Sequence, residues 1–140
     1  MDVVFLDANV LFSAAYHPGA GLRRLWELVD TRLVTSVYAV EEARRNLDTP
    51  HQRAELEALV RMLEIVPEQR QMDHPIFARI ALPEKDRPIL LAAIAAQATY
   101  LLTGDARHFG VYYEQDIAGV VILPPAICLR IVAEHAPDKE

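Results

Sequence analysis

The chain has 140 residues, a length that suits one domain with one hydrophobic core. Apolar residues make up 52% of it, and 14 Lys and Arg stand against 20 Asp and Glu for a formal charge of −6. That balance excludes an intrinsically disordered segment and argues against a simple nucleic-acid-binding module, whose affinity comes from basic side chains on phosphates.

In chain order, residues 3–6 are a short apolar run ending at Asp7, the pattern of a buried parallel strand. Leu22, Leu25, Trp26 and Val29 then follow helical spacing after a glycine-rich turn at 19–21. Residues 33–35 form a second short strand. The next helix spans about 37–47, with Thr49-Pro50 punctuating its end. Leu56, Leu59, Val60 and Leu63 share one helical face, and residues 64–66 before Pro67 read as a third strand. Residues 68–84 carry no firm pattern beyond a short helix around 76–80.

Pro88 lies in the first turn of an Ala-rich helix over about 87–98. Residues 100–103 and 119–123 supply two more strands, and Pro124-Pro125 opens a last helix bearing Ile127, Cys128, Ile131 and Val132. The structured unit is expected over 1–135, with a frayed tail at 136–140. The single cysteine, Cys128, lies among apolar neighbours and reads as a buried, reduced thiol, which suits a cytoplasmic protein. No signal peptide or membrane span is visible.

Strands alternating with helices imply a three-layer α/β/α fold around a central parallel sheet of four or five strands. In such sheets, sites form beyond the carboxyl ends of the strands where the strand order reverses. Asp7 ends the first strand and Asp105 follows the 100–103 strand. If those two strands are neighbours, their carboxylates face one another.

Taken singly, each acid has a plain alternative. An Asp after a strand is commonly a helix N-cap, Asp86 could simply start the Ala-rich helix, and Glu41 or Glu42 could be solvated face. Their order is more informative. Asp7-Ala8-Asn9 follows a strand, Ser36 precedes Glu42 by six positions, Asp86-Arg87-Pro88 opens a helix, and Thr103-Gly104-Asp105 closes a strand. Arg107-His108-Phe109-Gly110 and the later Gly119-Val120 with Pro124-Pro125 extend the set. From about residue 3 to 127 this arrangement resembles the PIN-domain family, in particular its VapC-like branch of bacterial and archaeal toxin components.

The resemblance implies a metal-dependent endoribonuclease whose acidic quartet is Asp7, Glu42, Asp86 and Asp105. Asp7, Asp86 and Asp105 would be the direct ligands of Mg²⁺ or Mn²⁺, and Glu42 would hold a metal-associated water or a second ion. Asn9, Thr103 and Ser36 would support them. Many relatives carry a further acid where this chain has Arg107, which favours one firmly held ion over two. An antitoxin protein and a homodimer are implied in the same way. Chemistry independently asks for such residues, because hard divalent cations take carboxylate oxygens and activate water for attack on phosphodiesters.

Arg23, Arg24, Arg44, Arg45, Arg87 and Arg107 are the candidate guides for RNA, with His108 as a further phosphate contact. The five histidines show no pair at zinc-ligand spacing. Two other readings stand beside the nuclease. One is a PIN scaffold that binds RNA or protein without cutting. The other is a phosphoryl-transfer domain using Asp7 as acceptor, although Asn9 stands where that chemistry wants a second Asp.

Overall fold

Val4, Phe5 and Leu6 are wholly screened from solvent, as a strand covered on both faces must be. The computed structural model describes residues 1–19, 21–67 and 69–135. It places this strand, β1 (Asp2–Leu6), near the middle of a six-stranded sheet. The other strands are β2 (Thr31–Ser36), β3 (Glu64–Val66), β4 (Tyr100–Leu102), β5 (Asp116–Ile117) and β6 (Val120–Leu123). Their order is β3-β2-β1-β4-β6-β5. The first five in that order run parallel, and β5 closes one edge antiparallel to β6. The parallel sheet of the sequence reading is therefore present, with one unexpected edge strand. Only two residues long, β5 is too short to leave a periodic signal.

The helices are α1 (Ala8–Tyr16), α2 (Val37–Asn46), α3 (Pro50–Val60), α4 (Arg87–Ala95), α5 (Ala106–Phe109) and α6 (Pro125–His135). Sheet order moves one way from β1 to β2 to β3, then jumps back past β1 to β4. With right-handed crossovers, that reversal puts the connecting helices on opposite faces and gives three layers. Ile89, Leu90, Leu91, Ala92 and Ala93 of α4 are buried, and the three small alanines of α1 (Ala8, Ala14 and Ala15) are buried likewise.

Several local expectations are revised. The helical spacing at 22–29 is satisfied by a 3-10 helix, Gly21–Glu27, and the short helix near 76–80 is another, Pro75–Ala78. Neither α1 nor α5 was foreseen. Thr49-Pro50 begins α3 rather than merely ending α2: Thr49 caps it with a reciprocal bond to Gln52, and Pro50 occupies the first turn. Cys128 is fully buried, and burial pushes its thiol up to about 12, which keeps it inert. Among the described residues, no helix is long and apolar enough to cross a membrane. The tail expected at 136–140 lies outside the described residues.

Candidate active site

The strand order reverses between β1 and β4, which pair in parallel with Leu6 beside Leu102. Asp7 and Thr103 are therefore the first residues past the carboxyl ends of two adjacent strands. The Asp7 amide still donates to the Leu102 carbonyl at 3.0 Å, so the ladder carries Asp7 into position. Helix α1 starts immediately after it. The cap reading of Asp7 is correct as far as it goes, since Oδ1 accepts from the Ala8 amide at 2.6 Å. Its other oxygen accepts from Asn9 Nδ2 at 3.2 Å.

Asn9 ties the two strand ends together. Its Nδ2 also donates to Thr103 Oγ1 at 3.2 Å, while its Oδ1 accepts from the Gly104 amide at 2.7 Å. A Cβ added at Gly104 would sit 3.3 Å from that Oδ1, so the turn after β4 has little room for a side chain. Thr103 Oγ1 accepts in addition from the Asp105 amide at 3.1 Å. With both contacts accepting, the Thr103 hydroxyl proton is left for Asp7.

A cavity of about 410 Å³ opens above this point, lined by Asp7, Asn9, Phe12, Glu42, Asn46, Lys85, Asp86 and Asp105 together with Ala8. Four carboxylates thus arrive from four places: the end of β1, α2, the turn into α4, and the turn after β4. Glu42 lines the cavity, and its neighbour Glu41 pairs instead with Arg44. Asp86 precedes α4 but makes no capping hydrogen bond, so helix initiation does not account for its side chain. Asp105 does cap α5, accepting from the His108 amide at 3.2 Å.

His108 turns inward. Its Nδ1 lies 2.8 Å from Asp105 Oδ2 in a hydrogen bond and 3.1 Å from Asp86 Oδ2. The second approach is not aligned as a hydrogen bond, and Asp86 Oδ2 is buried without one. Burial is the main reason that the Asp7 carboxyl is pushed up from 3.8 to about 6. Hydrogen bonding by Thr103 and Ala8 opposes the rise, and the charges of Asp86 and Glu42 add to it. Asp86 is also raised, again chiefly by burial, with His108 pulling it down and Asp105 pushing it up.

The remaining sequence candidates fall differently. Ser36 caps α2, accepting from the Ala39 amide at 3.2 Å, and borders a neighbouring cleft rather than the acidic cavity. Arg44 is paired with Glu41 and with Glu57 of α3, and Arg23 with Glu55 and the Ala14 carbonyl. Arg87 packs its guanidinium over Phe77, 4.7 Å from the ring centroid, and faces a separate cleft with His74. Arg24, Arg45 and Arg107 are exposed. His108 is held by the acids instead of standing open to a phosphate.

Among the polar residues in or beside the cavity, Asn46, Lys85 and Tyr38 were missed. Lys85 lines the cavity, and Tyr38 donates from its hydroxyl to the Lys85 carbonyl at 2.5 Å. Burial first, and then Glu42, raises the Tyr38 phenol. Lys85 borders the segment whose pattern was unreadable, although its place beside Asp86 was a usable signal.

A three-layer α/β/α fold with a carboxylate-lined cavity at its switch point defines a class of acidic-site α/β proteins. Residues 3–107 match the family described as "PIN domain", and the chain belongs to that family. Among curated protein sequences none matches the chain. The fold is similar to a chain of VapBC2 from Rickettsia felis, solved bound to a DNA fragment from their promoter. That pair is 15% identical over 87% of this chain and 98% of the other, with a TM-score of 0.66. VapBC-1 from nontypeable Haemophilus influenzae gives 16% identity over 89% and 98%, with a TM-score of 0.61. FitAB bound to the IR36 DNA fragment gives 21% over 87% and 94%, with a TM-score of 0.56.

Proposed function

We propose that this PIN domain is a metal-dependent endoribonuclease that hydrolyses RNA phosphodiester bonds with Mg²⁺ or Mn²⁺, and that it is the toxin of a toxin–antitoxin pair. The observation that carries the reading is the gathering of Asp7, Glu42, Asp86 and Asp105 around one cavity. The donor set fits a hard cation: all four offer carboxylate oxygens, and Asp86 Oδ2 is buried without a hydrogen bond. Crowded, partly desolvated carboxylates repel one another, and a cation relieves that cost.

Asp7, Asp86 and Asp105 would hold the ion, with Glu42 placed across the cavity to orient a water. A bound divalent ion supplies positive charge to the phosphate and makes water acidic enough to attack near neutral pH. The chain does the positioning. Asn9 and Thr103 fix the Asp7 carboxylate, and Lys85 brings a cation to the lining of the cavity. Exposed Arg45 and Arg107 are the proposed guides for the RNA strand.

The neighbours named VapBC and FitAB are two-component assemblies, which supports an antitoxin partner with a basic segment complementary to the cavity. A homodimer and a cytoplasmic location belong to the same proposal. The test is cleavage of structured and single-stranded RNA by wild type, Asp7→Asn and Asp105→Asn, with and without divalent metal, beside a phosphatase substrate. Metal-dependent RNA cleavage by wild type alone, leaving 5′-phosphate ends, is expected. Cleavage that persists in both variants would overturn the assignment. Turnover of the phosphatase substrate instead would favour phosphoryl transfer through Asp7.

A further inference from the structure

His108 occupies a place that the acidic quartet does not explain. Helix α5 is a single turn, and Asp105 at its start brings the residue three positions on back over its own carboxylate. Nδ1 of His108 consequently sits between Asp105 Oδ2 at 2.8 Å and Asp86 Oδ2 at 3.1 Å. One oxygen from each carboxylate and a nitrogen of the imidazole lie within 4.8 Å of one another.

A purely structural role accounts for half of this. The hydrogen bond to Asp105 fastens α5, but it uses the one proton that Nδ1 can carry. Asp86 Oδ2 is left buried and without a hydrogen bond. A metal ion satisfies all three atoms at once. Two donors at right angles on an ion with bonds of about 2.1 Å lie about 3 Å apart. Both nitrogen-to-oxygen separations are close to that value.

We propose that His108 is a direct nitrogen ligand of the metal site, so that the site selects Mn²⁺ and later transition metals over Mg²⁺. The proposal rests on the reading of Asp86 and Asp105 as metal ligands. It adds to that reading a donor lying one residue past the span matched to the family. Imidazole suits transition metals, whereas Mg²⁺ prefers oxygen and keeps its waters. A carboxylate–carboxylate–imidazole set is therefore a selectivity device that an all-oxygen set is not.

Calorimetric titration of metal-free wild type, His108→Gln and His108→Asn with Mg²⁺, Mn²⁺ and Co²⁺ tests this without any activity readout. Loss of a residue that merely supports a metal ligand costs about 10–100-fold in affinity, so loss of a ligand is expected to weaken Mn²⁺ and Co²⁺ binding at least about tenfold. Mg²⁺ affinity is expected to change far less. Pulsed electron paramagnetic resonance of the Mn²⁺-loaded wild type should show a directly coordinated histidine nitrogen, absent from both variants. Mn²⁺ binding without that nitrogen signal, or with the same metal preference in the variants, overturns the His108 assignment and leaves the acidic site standing. No binding of any metal by wild type overturns both. Metal-free circular dichroism of the variants controls for folding, since α5 loses one hydrogen bond.

Discussion

Burying Asp7 beside Asp86 and Glu42 makes its ionisation costly in the metal-free protein. The sign follows from the two pKa values. Below 3.8 the carboxyl is protonated whether the chain is folded or not, and it has no differential effect. Above about 6 it is ionised in both states, and the folded state carries the full penalty. The gap corresponds to about 3 kcal/mol. Metal-free stability is thus expected to fall as pH rises from 4 to 7, and Asp7→Asn should be the more stable protein at pH 7.5. Urea unfolding in a chelator at several pH values measures both effects. Asn9→Ala tests the opposite kind of interaction. It removes the partners of Asp7, Thr103 and the Gly104 amide, and is expected to cost about 1–3 kcal/mol while greatly slowing cleavage. Asp7 and Asp105 were legible from sequence because each follows an apolar strand, Asp7 immediately and Asp105 after the Thr103-Gly104 turn. The inward turn of His108 was not, because it depends on a one-turn helix whose geometry is set by the Asp105 cap.

At the scale of elements, the rotation of α2 decides which glutamate serves the cavity. Arg44 draws Glu41 sideways and reaches Glu57 on α3, so Glu42 is left facing Asp86. Adjacent acids on a helix cannot be told apart from sequence, since which one faces inward depends on a partner helix. Strands β1, β4 and β6 were readable because parallel strands buried on both faces are continuous apolar runs, whereas β3 is an exposed edge strand legible mainly from the Pro67 that follows it. Helix α1 was obscured by following Asp7 without a break, and β5 by its brevity. The stretch around 68–84 turned out to hold 3-10 turns, whose three-residue repeat leaves no helical stripe. Thr49→Ala tests the separation of fold from site at this scale. Loss of the α3 capping box is expected to cost about 1 kcal/mol by denaturant unfolding. It should leave the specific cleavage rate of the folded protein unchanged.

On the proposed reading, the molecule as a whole would have to bring a polyanion to an acidic mouth with a net charge of −6. With Arg23 and Arg44 held in ion pairs, the proposed RNA path is narrow and runs over Arg45 and Arg107. Arg45→Glu combined with Arg107→Glu, made in an Asp105→Asn background to prevent cleavage, is expected to weaken RNA binding about tenfold or more at low salt. The change in folding stability should stay within about 0.5 kcal/mol. Fluorescence anisotropy across a salt series reads this, and a flatter salt dependence in the variant is the signature of lost phosphate contacts. On the same proposed reading, a cation held by the acids would stabilise the whole fold, because ions that bind only the folded state raise its stability.

Thermal unfolding of wild type with and without Mn²⁺, beside Asp7→Asn, Asp86→Asn and Asp105→Asn, therefore tests the convergence of the acids on a cation most directly. Mn²⁺ at about 100 times its dissociation constant is worth about 2.7 kcal/mol, which for a domain of this size is a rise of about 5 °C or more. That rise is predicted for wild type and should be largely lost in all three variants. No rise in wild type, or an equal rise in Asp7→Asn, would contradict the account.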